Sequence, residues 1–175
     1  MSELVRIFVQ ITLLRLGPQD LPASGVLLAA TVLAYFVVNA AVSSVLPPLP
    51  GRWLPHLLVD IGFTLVWYLL LLRVMRRRER FLQTTTAVFG YQTLLAPVWI
   101  GSAWLIRHFQ GDPTLLFFAS LLGIAMLVWI LAVNGCILRA ALEWPLGGCI
   151  ALVLLQTAIG QVLLVTLFPP PVTAS

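Results

Sequence analysis

Charged residues are scarce in this sequence, and lysine is absent altogether. Of the 175 residues, 9% are charged and 61% are hydrophobic, whereas about 25% of a soluble domain is charged. All ten basic residues are arginine, and they form no basic stripe interleaved with aromatic residues, so the net charge of +4 does not indicate a nucleic-acid partner. The composition predicts a multi-pass membrane protein in contact with anionic lipid.

Motifs that carry catalysis or bind metals are missing as well. The sequence has no HExxH, no GxSxG, no phosphate-binding glycine loop and no paired acidic motif. Its two cysteines, Cys136 and Cys149, belong to no CxxC or Cys/His pattern, and we expect them to be packing residues. We therefore expect no enzymatic activity, no catalytic residue, no metal site and no cofactor.

Long apolar stretches, by contrast, recur along the chain. A helix that crosses a membrane needs about 20 apolar residues, and the sequence contains five such stretches. Because the connections between them are too short for an aqueous domain, we predict an all-α protein in which residues 25–168 form one bundle of five transmembrane helices. The stretches are residues 26–46, 54–72, 86–106, 115–138 and 146–168, and a short tail, 169–175, follows them.

The segment before the first stretch, residues 1–24, predicts an amphipathic helix that lies in the membrane interface. Gly17 and Pro18 end this helix, and Ser24 is placed to cap the first span. A cleaved signal peptide is the alternative, but Arg15 interrupts the apolar run and further spans follow, so we expect the segment to be retained. The apolar side of the helix comprises Leu4, Ile7, Phe8, Ile11 and Leu14, and the polar stripe comprises Glu3, Arg6 and Gln10.

The arginines are distributed unequally between the two sides of a five-span topology. Arg52 and Arg107 fall on one side, and the other eight fall on the opposite side. Because loops rich in arginine stay in the cytoplasm, we predict a protein of the bacterial inner membrane with a cytoplasmic amino terminus and a periplasmic carboxyl terminus. The eight are Arg6, Arg15, Arg73, Arg76, Arg77, Arg78, Arg80 and Arg139.

Asp60 is an acidic residue inside a predicted span, in the stretch RWLPHLLVDIGFT. A charge at the centre of a membrane helix costs about 2.5–3.5 kcal/mol, but Asp60 lies only one short step below the outer interface. His56, Asp60 and Thr64 are spaced four apart, so they share one helix face, and His56 is the expected partner of Asp60. Two interpretations stay open. One is a proton relay or the outer mouth of a substrate cavity, and the other is a packing pair that bonds to a neighbouring span through Asn39 or Asn134.

Five arginines stand beside the end of the second span, in the run RVMRRRER. Clusters of this size attract anionic lipid head groups by about 1 kcal/mol per basic residue, and they also fix topology. We expect them to set the topology, with contact to anionic lipid or to a cytoplasmic partner as the alternative. The five are Arg73, Arg76, Arg77, Arg78 and Arg80.

Pro97 lies in the middle of the third predicted span. Proline removes one helical hydrogen bond and collides with the carbonyl group four residues earlier, here that of Thr93, so the sequence predicts a helix kink. Elsewhere in the spans, uncharged polar side chains are expected to form interhelical hydrogen bonds. These are Asn134, Gln156 and Gln161.

Gly90 and Tyr91 precede the run APVWIGSAWLI in the third span, and the fourth span contains LVWILAVNGCILRAAL. These motifs, within residues 86–168, resemble those of the Yip1 superfamily, including its bacterial branch of small inner-membrane proteins. The resemblance implies a non-enzymatic membrane protein of five spans, and eukaryotic members of the family bind small GTPases and help to organise vesicle traffic. This sequence departs from the family in having extra residues between the Gly-Tyr pair and Pro97, and the resemblance carries over no functional residue.

Two functions are compatible with these observations, and the sequence favours the first. The first is a non-catalytic membrane protein that organises or scaffolds its partners, which are membrane lipids together with another membrane protein or further copies of the chain. The alternative is a small transporter, or a subunit of one, with a polar site at His56 and Asp60.

Overall fold

The computed structural model describes residues 2–45, 53–109 and 111–169, and every regular element in these ranges is helical. Arg52, the end of the first predicted stretch and residues 170–175 of the predicted tail lie outside these ranges. Two short 3-10 turns, Pro18–Asp20 and Arg78–Arg80, stand between longer helices. The α-helices are α1 (Ser2–Thr12), α2 (Gly25–Val45), α3 (Trp53–Val74), α4 (Phe81–His108), α5 (Pro113–Leu142) and α6 (Leu146–Leu167).

Side-chain caps fix where two of the helices begin. Ser24 Oγ accepts a hydrogen bond from the Leu27 N–H over 3.3 Å, which confirms the cap predicted for α2. At the start of α5 the Asp112 carboxylate accepts from the Thr114 N–H over 2.9 Å. Each cap satisfies a backbone donor that the first helical turn leaves without a partner.

α3 and α5 are each followed by a residue whose backbone is in the left-handed conformation. Arg76 has a φ of 56° and Glu143 a φ of 58°, a conformation that costs a residue other than glycine roughly 1–2 kcal/mol. After Arg76 the Arg77 N–H closes the last turn of α3 on Leu72 O over 2.8 Å. Both chain reversals lie at one end of the bundle, because Arg80 of the first contacts Glu143 of the second. We call this end, formed by residues 73–80 and 143–145, the arginine-rich end.

α4 is the central helix of the bundle. It packs against α1, α2, α3 and α5, and its residues 84–91 are all buried. Because protein surrounds this half of the helix, its three threonines and Tyr91 are shielded from lipid. The polar composition of this stretch is therefore compatible with a bundle inside a membrane.

The amino-terminal helix packs onto the bundle through part of its predicted apolar side. Phe8 and Ile11 are buried, and the Phe8 ring lies against Gly90 so closely that a Cβ atom there would be 2.2 Å from a ring carbon. Trp129 Nε1 of α5 donates a hydrogen bond to Thr12 O over 3.0 Å. α1 is thus held by both α4 and α5.

The connection between α1 and α2 is tied to the same helices. Leu21 and Pro18 are buried, and Gln83 Nε2 of α4 donates to Leu21 O over 2.7 Å. Leu14, which belongs to the predicted apolar side, is 40% exposed and leaves the helix with a φ of 61°. Residues 3–21 therefore form a packed part of the bundle.

Three of the described helices are long and apolar enough to cross a membrane, namely α3, α5 and α6. The described apolar part of α2, Gly25–Ala41, is shorter, and α4 carries polar residues in both halves, with three threonines in its buried first half. Large apolar side chains such as Val26, Ile124 and Val162 are more than 60% exposed, as suits contact with lipid. The all-α fold predicted from the sequence is confirmed, and the helices are those of a membrane protein.

Pro97, Cys136 and Cys149 all lie inside helices. α4 continues through Pro97 to His108, and the turn before the proline contains a hydrogen bond from Thr93 Oγ1 to Phe89 O of 2.7 Å. The kink at Pro97 stays a prediction. Both cysteines are free, and Cys149 is fully buried, as expected of a packing residue.

Candidate functional site

Asp60 of α3 is bonded to the neighbouring helix α2. Tyr35 Oη donates a hydrogen bond to Asp60 Oδ2 over 2.8 Å. The structure thus places Tyr35, and not the expected His56, at this carboxylate. The His56 ring instead lies 4.2 Å from the ring of Phe168 beyond α6, and its Nε2 has no hydrogen-bond partner among the described residues. A spacing of four residues brings two side chains to one face, but the donor that reaches the carboxylate comes from another helix.

The interhelical bond expected of Asp60 therefore exists, but through a different residue. Asn39 Nδ2 donates to Tyr35 O, in its own helix, over 2.8 Å. The Tyr35 ring packs edge-on against Phe89 of α4, with ring centroids 5.3 Å apart. Tyr35 is thus held between α3 and α4.

A polar cavity of about 190 Å³ lies beside Asp60, between α3, α4, α5 and α6. Its wall is half polar and half apolar, because seven of the fourteen residues that line it have polar side chains. In a bundle of apolar helices such groups are costly unless they bond to one another, to water or to a ligand. The seven are Asp60, Thr64, Gln92, Asn134, Gln156, Thr157 and Gln161.

A second cavity, of about 220 Å³, adjoins the polar cavity. Tyr35 and Asn39 of α2 line it together with Tyr91, and its wall is more apolar, with Trp99 and Leu95. Gln92 and Ile130 line both cavities. The hydrogen bond from Tyr35 to Asp60 therefore joins the walls of two adjoining cavities.

The polar cavity is lined by one acidic side chain and by uncharged hydrogen-bonding groups. Asp60 is its acidic residue, and no basic side chain is among the residues described as lining it. Tyr35 engages only Oδ2 of the carboxylate, and the amide and hydroxyl side chains around it can both donate and accept hydrogen bonds. Within the described ranges, no three His, Cys, Asp or Glu side chains come together as they would around a metal ion.

Two of the five clustered arginines bind Glu143 at the arginine-rich end. Arg80 Nη2 donates to Glu143 Oε1 over 2.6 Å and its Nη1 donates to Ala140 O over 2.6 Å, while Arg77 pairs with Glu143 Oε2. The bonds from Arg80 Nη1 to Ala140 O and Ala141 O satisfy carbonyl groups at the end of α5, which the helix itself cannot satisfy. Arg77 and Arg80 thus connect the α3–α4 turn to α5.

The remaining three arginines of the cluster, Arg73, Arg76 and Arg78, are exposed. Their side chains are therefore the part of the predicted lipid or partner contact that is accessible at this end. The cluster divides into a pair with a structural partner and a group of three at the surface.

The electrostatic effect of the pair is seen at Glu143, which follows α5. The hydrogen bond from Arg80 and the positive charge of Arg77 lower the pKa of the Glu143 carboxyl below its usual value. Glu143 is therefore ionised over a wider acidic range than an unpaired glutamate.

Sequence reasoning did not single out Tyr35, Gln92 or Thr157 as site residues. Tyr35 could have been noticed in the sequence, because it carries a hydroxyl group in an otherwise apolar helix, ten residues before the end of α2, and Asp60 lies seven residues after the start of α3. Gln156 and Gln161 were expected to bond between helices, and the structure places both at the polar cavity. These side chains meet at one cavity only because each helix is rotated so that they face inward, and the sequence does not show that rotation.

No known family profile matches this chain, and no curated protein or solved structure is significantly similar to it. The resemblance to the Yip1 superfamily stays a prediction. Function is therefore inferred from the cavity and its residues.

Proposed function

We propose that this chain binds a small polar solute in the cavity beside Asp60 and acts, without catalysis, as a small transporter or a transporter subunit. The observation that carries this proposal is the convergence of seven polar side chains, from four helices, on one cavity. Ionisable residues inside membrane helices commonly mark the paths of substrates and ions. Of the two functions compatible with the sequence, the geometry of the cavity favours the transporter over the protein that organises membrane partners.

The size and composition of the cavity limit the solute. Pockets for drug-sized ligands have volumes of about 300–1,000 Å³, whereas this one has about 190 Å³. A carboxylate without a basic neighbour in the cavity wall favours a cationic or hydrogen-bond-donating solute over an anion. A small ion, amine or amide therefore fits the site better than a lipid or a nucleotide.

In this proposal α2 to α6 each cross a bacterial inner membrane and form a bundle of five spans. α2 has 21 residues and α4 has 28, so at about 1.5 Å per residue each is as long as a hydrocarbon core of about 30 Å. The distribution of arginines supports a cytoplasmic arginine-rich end and amino terminus, with a periplasmic carboxyl terminus. α1 then packs on α4 and α5 in the cytoplasmic half of the bundle.

A second candidate function, the organisation of membrane lipids or partner proteins, is supported by a separate observation. Arg73, Arg76 and Arg78 are exposed at the arginine-rich end, where anionic head groups would meet them. This function needs no cavity. It would involve the surface of the bundle, through lipid, another membrane protein or a second copy of the chain.

Thermal unfolding in lipid discs tests the solute proposal. A panel of small cations, amines and amides is added to the wild type, to Asp60→Asn, and to Asp112→Asn as the matched control. Asn caps a helix about as well as Asp, so the control removes a carboxylate outside the cavity. A solute at 100 times its Kd stabilises the folded state by about 2.7 kcal/mol, which raises the Tm by about 5 °C or more.

The expected result is a solute that raises the Tm of the wild type and of Asp112→Asn but not that of Asp60→Asn. A panel that shifts none of the proteins, or that shifts all three equally, contradicts a site at Asp60.

A further inference from the structure

The second cavity differs from the polar cavity in the chemistry of its wall. Two of the eight residues described as lining it, Asn39 and Gln92, have amide side chains, and none of the eight is charged. The other six are apolar or aromatic, so this cavity suits an apolar group better than a charged one. The six are Tyr35, Tyr91, Leu95, Ala96, Trp99 and Ile130.

The apolar part of this wall follows one face of α4. Leu95, Ala96 and Trp99 come three, four and seven residues after Gln92, which is the spacing of a single helix face. Gln92 also lines the polar cavity, and Trp99 lies about 10 Å further along the helix axis. The second cavity therefore extends from the shared residue Gln92 towards Trp99, with room for a phenyl ring or a short alkyl chain.

Asp60 is close to both cavities. It lines the polar cavity itself, and its Oδ2 lies 2.8 Å from the hydroxyl of Tyr35, which belongs to the wall of the second cavity. No basic side chain is among the residues described as lining either cavity. A positive group beside Asp60 thus has a carboxylate as its counter-ion and an apolar space next to it.

We propose that the ligand is an organic cation, an ammonium group with an apolar substituent, whose charge lies beside Asp60 and whose substituent lies in the second cavity. Amide and hydroxyl oxygens of the polar cavity accept hydrogen bonds from ammonium N–H groups. One of these acceptors is Asn134 Oδ1, which is buried and has no partner among the described residues. Burial of the substituent in the second cavity adds affinity, because it removes apolar area from water.

The volumes of the two cavities agree with a ligand of this kind. The polar cavity has about 190 Å³ and the second about 220 Å³, so each alone is below the range of about 300–1,000 Å³ of pockets for drug-sized ligands. Together they fall inside that range. A metal ion or a methylated amine would fill only the first of them.

This inference rests on the proposed function, because it needs a solute site at Asp60. It adds the second cavity to that site and names the class of solute. It can fail while a site for a small ion or amine at Asp60 remains.

Matched ligands, added to the full chain in lipid discs, test the proposal. Methylammonium and benzylammonium share the charged group and differ in the apolar one, whereas benzyl alcohol has the ring without the charge. The Kd of each ligand is obtained from the rise of the Tm with ligand concentration. Benzylammonium should bind at least about tenfold more tightly than methylammonium, since burial of one aromatic ring accounts for such a factor. Benzyl alcohol should bind much more weakly than benzylammonium, and Asp60→Asn should lose both ammonium ligands.

A variant that fills the second cavity gives an independent readout. Ala96→Leu places a larger side chain there, so it should abolish the preference for benzylammonium over methylammonium. Ala125→Leu, the same substitution at an exposed position of α5 outside both cavities, is the matched control and should keep the preference. If Ala96→Leu lowers the abundance of folded protein, Trp99→Leu takes its place, because it removes an aromatic side chain from the same wall and should weaken the preference.

Two results would overturn the organic cation. Equal binding of methylammonium and benzylammonium to the wild type would remove the second cavity from the site but leave the solute site at Asp60. Binding of benzyl alcohol as tight as that of benzylammonium would show an apolar site that needs no carboxylate. Absence of binding by every member of the wider panel of cations, amines and amides, in contrast, contradicts the proposed function itself.

Discussion

The hydroxyl of Tyr35 in α2 donates a hydrogen bond of 2.8 Å to the carboxylate of Asp60 in α3. This bond connects two helices that the short α2–α3 connection would bring together in any case. It also fixes the orientation of the carboxylate, because one oxygen is engaged from α2 while the residue lines the polar cavity between α3 and α6. The pair is therefore both a packing contact and part of the proposed solute site.

Replacement of Tyr35 by phenylalanine is predicted to destabilise the bundle. Tyr35→Phe leaves Asp60 without its hydrogen-bond donor from α2, and a buried polar group left without a partner costs about 1–3 kcal/mol. Unfolding by denaturing detergent should show a loss of about 1–3 kcal/mol. Thr166→Val is the control, because Thr166 bonds only to its own helix on an exposed surface. If both variants lose the same stability, the Tyr35–Asp60 bond does not hold α2 to α3.

Replacement of Gly90 by alanine is predicted to detach α1. An added Cβ would lie 2.2 Å from the ring of Phe8, which is buried and cannot turn away freely. Overpacking of this kind costs about 1–3 kcal/mol, and faster proteolysis of residues 2–24 would report it. Gly62→Ala, which has nothing near its Cβ, is the control. The double variant Phe8→Ala/Gly90→Ala should recover part of the loss, and no effect of Gly90→Ala would refute the close contact.

The contribution of Glu143 to stability is predicted to depend on pH. Its pKa is lowered in the folded protein by the hydrogen bond from Arg80 and the charge of Arg77. A carboxyl whose folded pKa is lowered stabilises the protein above its unfolded pKa, about 4.3, and loses this contribution as the pH falls through the folded value. The wild type should thus exceed Glu143→Gln in Tm at pH 7, and the difference should shrink below about pH 4. A difference that stays constant down to pH 3 would argue against the ion pair.

The two parts of the arginine cluster are predicted to respond differently to neutralisation. A triple variant of Arg73, Arg76 and Arg78 to glutamine should retain the Tm but lose bound anionic lipid, since each basic residue near the surface contributes about 1 kcal/mol. Arg80→Gln should lower the Tm, because it leaves Glu143 Oε1 and Ala140 O without their donor. Native mass spectrometry of lipid adducts, beside thermal unfolding, distinguishes the two effects. The opposite pattern would show that the exposed arginines hold the fold.

Two of the helices could be predicted closely from the sequence, whereas α1 ends at Thr12, before the predicted Gly17, and α4 begins at Phe81, five residues before the predicted stretch. The predicted stretches 54–72 and 146–168 correspond to α3 (Trp53–Val74) and α6 (Leu146–Leu167) within two residues at each end. Proline, glycine and arginine mark these ends locally, so no tertiary information is needed. The cap at Ser24 is local in the same way, and it too was predictable.

The sequence does not predict which side of each helix packs against which neighbouring helix. Inside a membrane the lipid-facing and protein-facing sides of a helix are both apolar, so periodicity does not show that α4 is central or that Tyr35 reaches Asp60. α1 has a clear apolar side, but the pattern alone does not distinguish a membrane interface from the surface of α4. The polar cavity depends on the rotation of four helices, and only the structure brings Gln92 and Gln156 to Asp60.

Native mass spectrometry of the protein released from lipid discs tests the solute site most directly. The wild type and Asp60→Asn are purified side by side, and all small molecules that remain bound are identified. The proposed site predicts a small cationic or polar solute that is retained by the wild type and absent from Asp60→Asn at equal abundance of folded protein. If both forms retain the same molecules, or if neither retains any while a protein partner copurifies with both, Asp60 is structural and the chain is an organiser of membrane partners.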